Sequence, residues 1–401
     1  MVTYPKWESL KLGDLGHIQM CRRIFQNQTK EYGAIPFYKI STFGGKADAF
    51  ITKALYEKYK ILYPYPEKGE VLISAAGTIG KTVVFDGKDG YFQDSNIVWL
   101  KTDSRIDKNY LNWFYRSFPW EALEGTTIQR LYNSIILGTP IDLPSIPEQK
   151  RIVETLSSFD EYINNLTELI EKKKNIRDGA LEDLVTGKTR LEGYSCKWSE
   201  QSLKSLSVLI TKQTGFDYSE RIKESLLTSK RADTIPFIQN KDFEKFQINY
   251  ETDFHIPMEV AMIYPKILLC EKCLLISISG RIGNVAVFDN KIKAFAGGAV
   301  GIIKLKDPDM AEWCMLYLLS SKGQSQIFKN EKVGAQHNLT VADVRSLKIQ
   351  IPEVNERNEI VEIIKGMDSE IANLEEERDK MIQIRDGAMD DLLSGRVRLE
   401  N

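Results

Sequence analysis

Apolar residues fall into two long runs of four-three spacing. Ile152, Leu156, Phe159, Ile163, Leu166 and Ile170 form the first, which continues through Lys173 and Arg177 to Ala180 and Leu184. Ile360, Ile364, Met367, Ile371, Leu374, Met381, Ala388 and Leu392 form the second, with Arg378 and Arg385 in the same register. A sustained heptad seam predicts a helix of about 33 residues, ~50 Å long, that needs a partner. Each seam is the other's match, so an antiparallel helix pair is expected. Gly187 and Gly395 stand where helix stops belong. Gly179 and Gly387 lie inside the runs, each at a cost of roughly 1 kcal/mol relative to alanine. A glycine at the same place in both helices implies close approach of another backbone there.

Between these runs the pattern changes. Glu70–Ser74, Thr82–Phe85, Ile97–Leu100, Leu274–Ser277, Val285–Phe288 and Val300–Leu305 are short, β-branched, apolar runs bounded by Gly, Asp and Asn, and read as strands. Tyr110–Phe118 and Met310–Leu319 read as helices. The expected fold class is therefore mixed α/β: two similar modules joined by two long antiparallel helices in a coiled coil.

The second half of the chain restates the first. At an offset of 208, Ile152–Glu192 and Ile360–Glu400 share 20 identities in 41 positions, including Ile176–Ala180 repeated as Ile384–Ala388. The modules repeat more faintly: Leu72–Gly80 answers to Leu275–Gly283, Val84-Phe85-Asp86 to Val287-Phe288-Asp289, and Ile35-Pro36-Phe37 to Ile235-Pro236-Phe237. So long a period means duplication of a whole module rather than a solenoid. A unit of module plus helix, used twice, closes into a pseudo-two-fold ring, with the tail Arg398-Leu399-Glu400 near Met1–Trp7. One frame carrying two different variable surfaces is suited to binding two different things.

At 401 residues, two or three folded units are expected. The 42% hydrophobic and 27% charged content excludes a disordered tail protein. No apolar stretch approaches ~18 residues, so no membrane-spanning helix is expected, and the N-terminus lacks the pattern of a signal peptide. Five cysteines, few, odd in number and scattered, favour free thiols in a reducing cytoplasm. The net charge of −2 hides an uneven distribution. Residues 1–145 and 196–350 carry more basic than acidic side chains (18 against 15, 21 against 17), whereas residues 146–195 and 351–401 carry fewer (8 against 10, 7 against 14). The modules thus permit an anionic ligand without demanding one.

This arrangement resembles the specificity subunit of type I restriction–modification systems. The residues that carry the likeness are Ile146-Pro147-Glu148-Gln149-Lys150-Arg151-Ile152-Val153 and its partner Ile351-Pro352-Glu353, the Gly-Thr-Ile-Gly and Gly-Arg-Ile-Gly turns, and Trp7 and Trp198 at the module starts. The second opening runs three residues longer than the first. The resemblance implies a non-catalytic, cytoplasmic, DNA-reading subunit with target-recognition domains at 1–146 and 191–351 and spacer helices at 147–190 and 352–401. It implies a split double-stranded DNA target, two docked methyltransferase subunits and, through them, restriction subunits. No cofactor is expected in this chain; S-adenosylmethionine, ATP and Mg would belong to the partners.

Base edges are read by Arg and Lys at guanine and by Asn and Gln at adenine. Two loops in each module offer such residues: Thr78 and Lys81, matched by Arg281 and Asn284; and Gln129, Arg130 and Asn133, matched by Gln336, His337 and Asn338. Lys39, Ser41 and Thr42, with Asn240 and Lys241 opposite, are weaker candidates. The rival from another class is a nucleotide-binding enzyme using Ala75–Thr82, which fits a relaxed P-loop. A phosphate cradle must open a helix, and here Val83-Val84-Phe85 reads as a strand. Cys270 and Cys273 are half a zinc site with no second pair, and three histidines without a nucleophile make no catalytic case. A coiled-coil assembly protein with no nucleic-acid role is the third reading.

Overall fold

The computed structural model describes residues 6–120, 130–244, 247–329 and 338–399. The chain divides into two compact units: 1–168 with 375–401, and 169–374. Each of the two long helices, Ile146–Val185 and Val354–Leu393, contributes one half to each unit.

The first unit holds β1 (Glu8–Lys11), β2 (Gly16–Gln19), β3 (Ile35–Tyr38), β4 (Ala49–Ile51), β5 (Val71–Ser74), β6 (Thr82–Val84), β7 (Tyr91–Phe92), β8 (Ile97–Thr102) and β9 (Pro140–Leu143). An antiparallel sheet of order β2-β8-β5-β6 faces a smaller one of order β4-β3-β7. Alternation along the strands builds two cores from one sheet. Leu72 and Trp99 point with Phe37 and Tyr91 into one. Ile73 and Val98 point with Tyr110 and Trp113 into the other, which also takes in Ile152, Leu156 and Leu392 of the long helices.

The second unit repeats this plan with β10 (Ser199–Ser202), β11 (Ser207–Lys212), β12 (Thr234–Ile238), β13 (Phe243–Glu244), β14 (Gln247–Ile248), β15 (His255–Pro257) and β16 (Leu268–Leu269). It continues with β17 (Cys273–Ser277), β18 (Val285–Phe288), β19 (Ala294–Ala296), β20 (Val300–Leu305) and β21 (Lys348–Ile351). Its sheet β11-β20-β17-β18 has Leu275 and Ile302 on one face with Phe237 and Phe295. Leu274 and Ile303 lie on the other with Trp313, Leu181, Ile360 and Ile364.

The helices are 40 residues each, longer than the seam alone predicts, because both begin a turn or more before Ile152 and Ile360. Their segments run antiparallel within each unit. In the first, Asp160 pairs with Arg385 at 3.0 Å and Tyr162 with Glu377. In the second, Lys173 pairs with Glu370 at 2.8 Å and Arg177 with Asp368 at 3.2 Å. Ile152, Leu156, Ile163, Leu166, Ile360, Ile364 and Ile371 are buried, and Phe159, Met367 and Leu374 are half-buried. Both chains of contacts end at a glycine in the left-handed region, Gly187 (φ 69°) and Gly395 (φ 71°). A Cβ there would stand 3.2 Å from Trp198 and Trp7 respectively.

Two sequence expectations are corrected. A Cβ at Gly179 or Gly387 would meet nothing within 4 Å, so no backbone of the described residues approaches either glycine. And the counterpart of Ile146-Pro147-Glu148 is Val354-Asn355-Glu356, not Ile351-Pro352-Glu353. The latter closes β21 and precedes the helix.

Candidate nucleic-acid interface

Each module builds its first candidate turn around a buried serine. In the first, the Ser74 amide donates to the Lys81 carbonyl at 2.9 Å and the Gly80 amide to the Ser74 carbonyl at 3.0 Å. The Ser74 hydroxyl donates to the Thr78 carbonyl at 2.6 Å and accepts from the Lys81 amide at 2.9 Å. Ser277 repeats the pattern, accepting from the Asn284 amide at 2.8 Å through its hydroxyl and from the Gly283 amide at 3.0 Å through its carbonyl. Gly77, Gly80, Gly280 and Gly283 all hold φ between 68° and 81°, a conformation that glycine adopts without a Cβ penalty. The tip residues Thr78 and Arg281 are exposed.

The second candidate loop is brought against this turn in both modules. The Leu131 amide donates to the Ala75 carbonyl at 2.9 Å and the Leu339 amide to the Ile278 carbonyl at 2.8 Å. Arg130 thereby bridges to Ala76, and Asn338 to Ser279. Arg130 is exposed, with its guanidinium 6.0 Å from the ring centre of Tyr132, itself 60% exposed. Asn133 is exposed at the start of the short helix Asn133–Gly138. Gln129, Gln336 and His337 lie outside the described residues.

Other candidates are tied down. The Lys81 ammonium donates to the Phe43 carbonyl at 2.6 Å, and the Asn284 amide donates to the corresponding Phe243 carbonyl. These are the same strut made by different residues. Asn240 donates to the Ser279 carbonyl at 2.9 Å, and Lys241 pairs with Asp253 at 2.8 Å. Lys39 pairs with Asp48 at 2.8 Å, Thr42 accepts from the Lys39 amide at 3.0 Å, and Ser41 is exposed.

The strut also disposes of the nucleotide-binding alternative. Ala75–Thr82 joins two antiparallel strands, β5 and β6, with no helix N-terminus to face a phosphate. Its lysine is spent on a backbone carbonyl. Cys273 is packed in the sheet core, where burial pushes its thiol up to about 12, while Cys270 is exposed. Among the described residues no group of three or more His, Cys, Asp or Glu could hold a metal ion, and no helix is long and apolar enough to cross a membrane.

Two cation–aromatic pairs that involve the arginines after β2 escaped sequence reasoning. Arg22 lies 5.2 Å from the Tyr63 ring centre, and Arg23 lies 5.6 Å from that of Phe25, which is 58% exposed. Basic groups beside exposed aromatic faces suit a nucleic acid. The adjacent arginines followed by Phe25 were the available signal.

Comparison with known proteins fits this geometry. The family signature of the type I restriction modification DNA specificity domain matches residues 4–176 and 264–383. A putative type I restriction enzyme specificity subunit of Haemophilus influenzae is 52% identical over 160 residues, spanning 40% of this chain and 42% of that protein. A putative specificity subunit of Methanocaldococcus jannaschii is 24% identical, over 98% of this chain and 94% of that one. In fold, the chain is similar to the S subunit from M. genitalium (TM-score 0.56, 17% identity, 98% of each chain). It is also similar to a chain from a structural study of type I restriction–modification complex assembly (TM-score 0.61, 14% identity, 98% and 99% of the two chains). With the family signature covering most of its length, the chain belongs to the DNA specificity subunits of type I restriction–modification systems.

Proposed function

We propose that this chain is the non-catalytic reader of a type I restriction–modification complex, each module recognising one half of a split double-stranded DNA target. What carries this reading is a turn repeated in both modules beneath unlike tips. Both modules close the same serine-centred turn and bridge it to the same second loop. Yet they expose Thr78, Arg130 and Asn133 in one and Arg281 in the other, where Asn338 is half-buried. A frame that repeats while its exposed donors and acceptors change is what two different base sequences require.

The long helices serve as the spacer and as the dock for two methyltransferase subunits, with restriction subunits joining through them in the cytoplasm. S-adenosylmethionine, ATP and Mg are then bound by those partners. Expression of the chain with its methyltransferase partner, followed by mapping of methylated adenines, tests the reading. One split motif with a fixed gap is expected; methylation without sequence preference, or of a single unbroken motif, overturns it.

A further inference from the structure

Beside the first candidate turn of the second module lies an open cavity of about 370 Å³, lined in part by Lys212, Gln213, Tyr218, Phe237, Asn240 and Gly298. Gln213 is 3% exposed, and neither its amide oxygen nor its amide nitrogen meets a hydrogen-bond partner among the described residues. A buried amide left unpaired is costly on both its donor and its acceptor side. The surrounding backbone makes room for it. A Cβ on Gly298 would press the Gln213 Oε1 at 3.2 Å, and one on Gly297 would stand 3.0 Å from the Phe237 ring. Any larger residue at this glycine pair would fill the space.

The cavity adjoins the turn that carries Arg281, because Asn240, on its wall, donates to the Ser279 carbonyl. Lys212 at the rim is exposed, and Tyr218 and Phe237 supply aromatic faces. The first module carries no amide at the equivalent place. Gln19 pairs with Trp99 as Thr211 pairs with Ile302, so the residue two places on is Cys21 in one module and Gln213 in the other. Cys21 is packed in its core. The scaffold therefore does not need an amide here.

We propose that Gln213 is a specificity-determining residue of the second module, taking the edge of one adenine of its half-site into this cavity. An amide offers one donor beside one acceptor. That pair matches the adjacent N6 amino group and N7 of adenine, whereas guanine presents two acceptors on the same edge. The inference rests on the DNA-reading function proposed above and adds the base class and the residue.

Full-length variants expressed with the methyltransferase partner test it by methylated-adenine mapping. Gln213→Met keeps the size and removes both hydrogen bonds. Selection of adenine at one position of one half-site should fall about ten- to hundredfold, with the other half-site unchanged. Gln213→Glu, an acceptor only, should shift preference at that position towards cytosine. An unchanged motif in both variants overturns the proposal, and Gln213 is then served by solvent. Gln213→Cys, the residue of the first module, guards against misfolding. Uniform loss of methylation with a lowered melting temperature in all three variants also overturns it, leaving a core amide. Failure of the parent function is distinct, because the unsubstituted chain would then mark no split motif.

Discussion

The Arg398 guanidinium sits 5.1 Å from the centre of the Trp7 ring, and Glu148 holds both. Glu148 accepts from Arg398 at 2.8 Å and from the Trp7 indole at 3.1 Å. The second unit repeats the knot with Arg190, 5.2 Å from the Trp198 ring, and Glu356, which accepts from them at 2.7 and 3.0 Å. Where the chain is continuous from Arg190 to Trp198 in one unit, Arg398 and Trp7 come from its opposite ends in the other. The acid of each knot lies in the first turn of a long helix, where the helix dipole also favours negative charge.

Removing that acid should loosen the module it anchors. Glu356 is fully buried, so Glu356→Ala removes the acceptor shared by the part-exposed Arg190 and the Trp198 N–H, at about 1–3 kcal/mol. Glu353→Ala, three residues earlier and exposed, should cost less than ~0.5 kcal/mol. Urea unfolding of the two variants checks the contrast. Equal losses would mean that Glu356 is not the anchor.

The seams were legible because burial follows the four-three spacing directly. The repeated Ile-Pro-Glu string misled, since similarity of three letters outweighed the constant offset of 208 that carries Glu148 to Glu356. Gly179 and Gly387 looked like contact points, yet a helical glycine in open space leaves the same signature. The two candidate loops of each module do lie against one another, but which of their polar residues face outward was not readable. Lys81 and Asn284 turn to the carbonyls of Phe43 and Phe243, about forty residues away in sequence. Gln213 carried no signal at all, because its burial depends on the return of Gly297-Gly298.

Acid should weaken the first unit. Burial opposes ionisation of Glu148, but the Arg398 guanidinium and the Trp7 N–H outweigh it and hold the carboxyl below its ordinary 4.5. Asp160, likewise buried in part, is held below 3.8 by Arg116 and Arg385. A carboxyl depressed on folding contributes stability that is complete above its unfolded value and is lost as pH falls through its folded one. Unfolding free energy should therefore be flat near neutrality and decline below about pH 4.5. Glu148→Gln should start lower and decline less steeply, as denaturation at a series of pH values would show.

Lys81 and Arg130 should separate stability from recognition. Lys81→Met leaves the Phe43 carbonyl without its donor, at about 1–2 kcal/mol of stability, with the target motif retained. Arg130→Ala should leave the melting temperature within a degree or two. It should relax one position of one half-site by about 1–3 kcal/mol if that side chain reads a base. Equal weakening on all sequences, with a shallower salt dependence, would assign Arg130 to phosphate instead.

The helix pair sets the last expectation, for the gap between the two half-sites. Residue numbers fall in one helix as they rise in the other: 160 faces 385, and 177 faces 368. One heptad inserted after Ile170 and one after Arg378 lengthens both helices by the same amount and keeps the four-three apolar spacing of each. Each insertion adds ~10 Å of helix. At ~3.4 Å per base pair the preferred gap should grow by about one to three pairs. The upper end is disfavoured, because added pairs also rotate one half-site about the duplex axis and the protein must follow. The bases within each half-site should not change, since neither module is touched. An insertion in one helix alone leaves seven residues of seam unmatched, and should lower the melting temperature. Methylome mapping of the double insertion decides the matter: altered half-site bases with an unchanged gap would exclude the helices as the spacer.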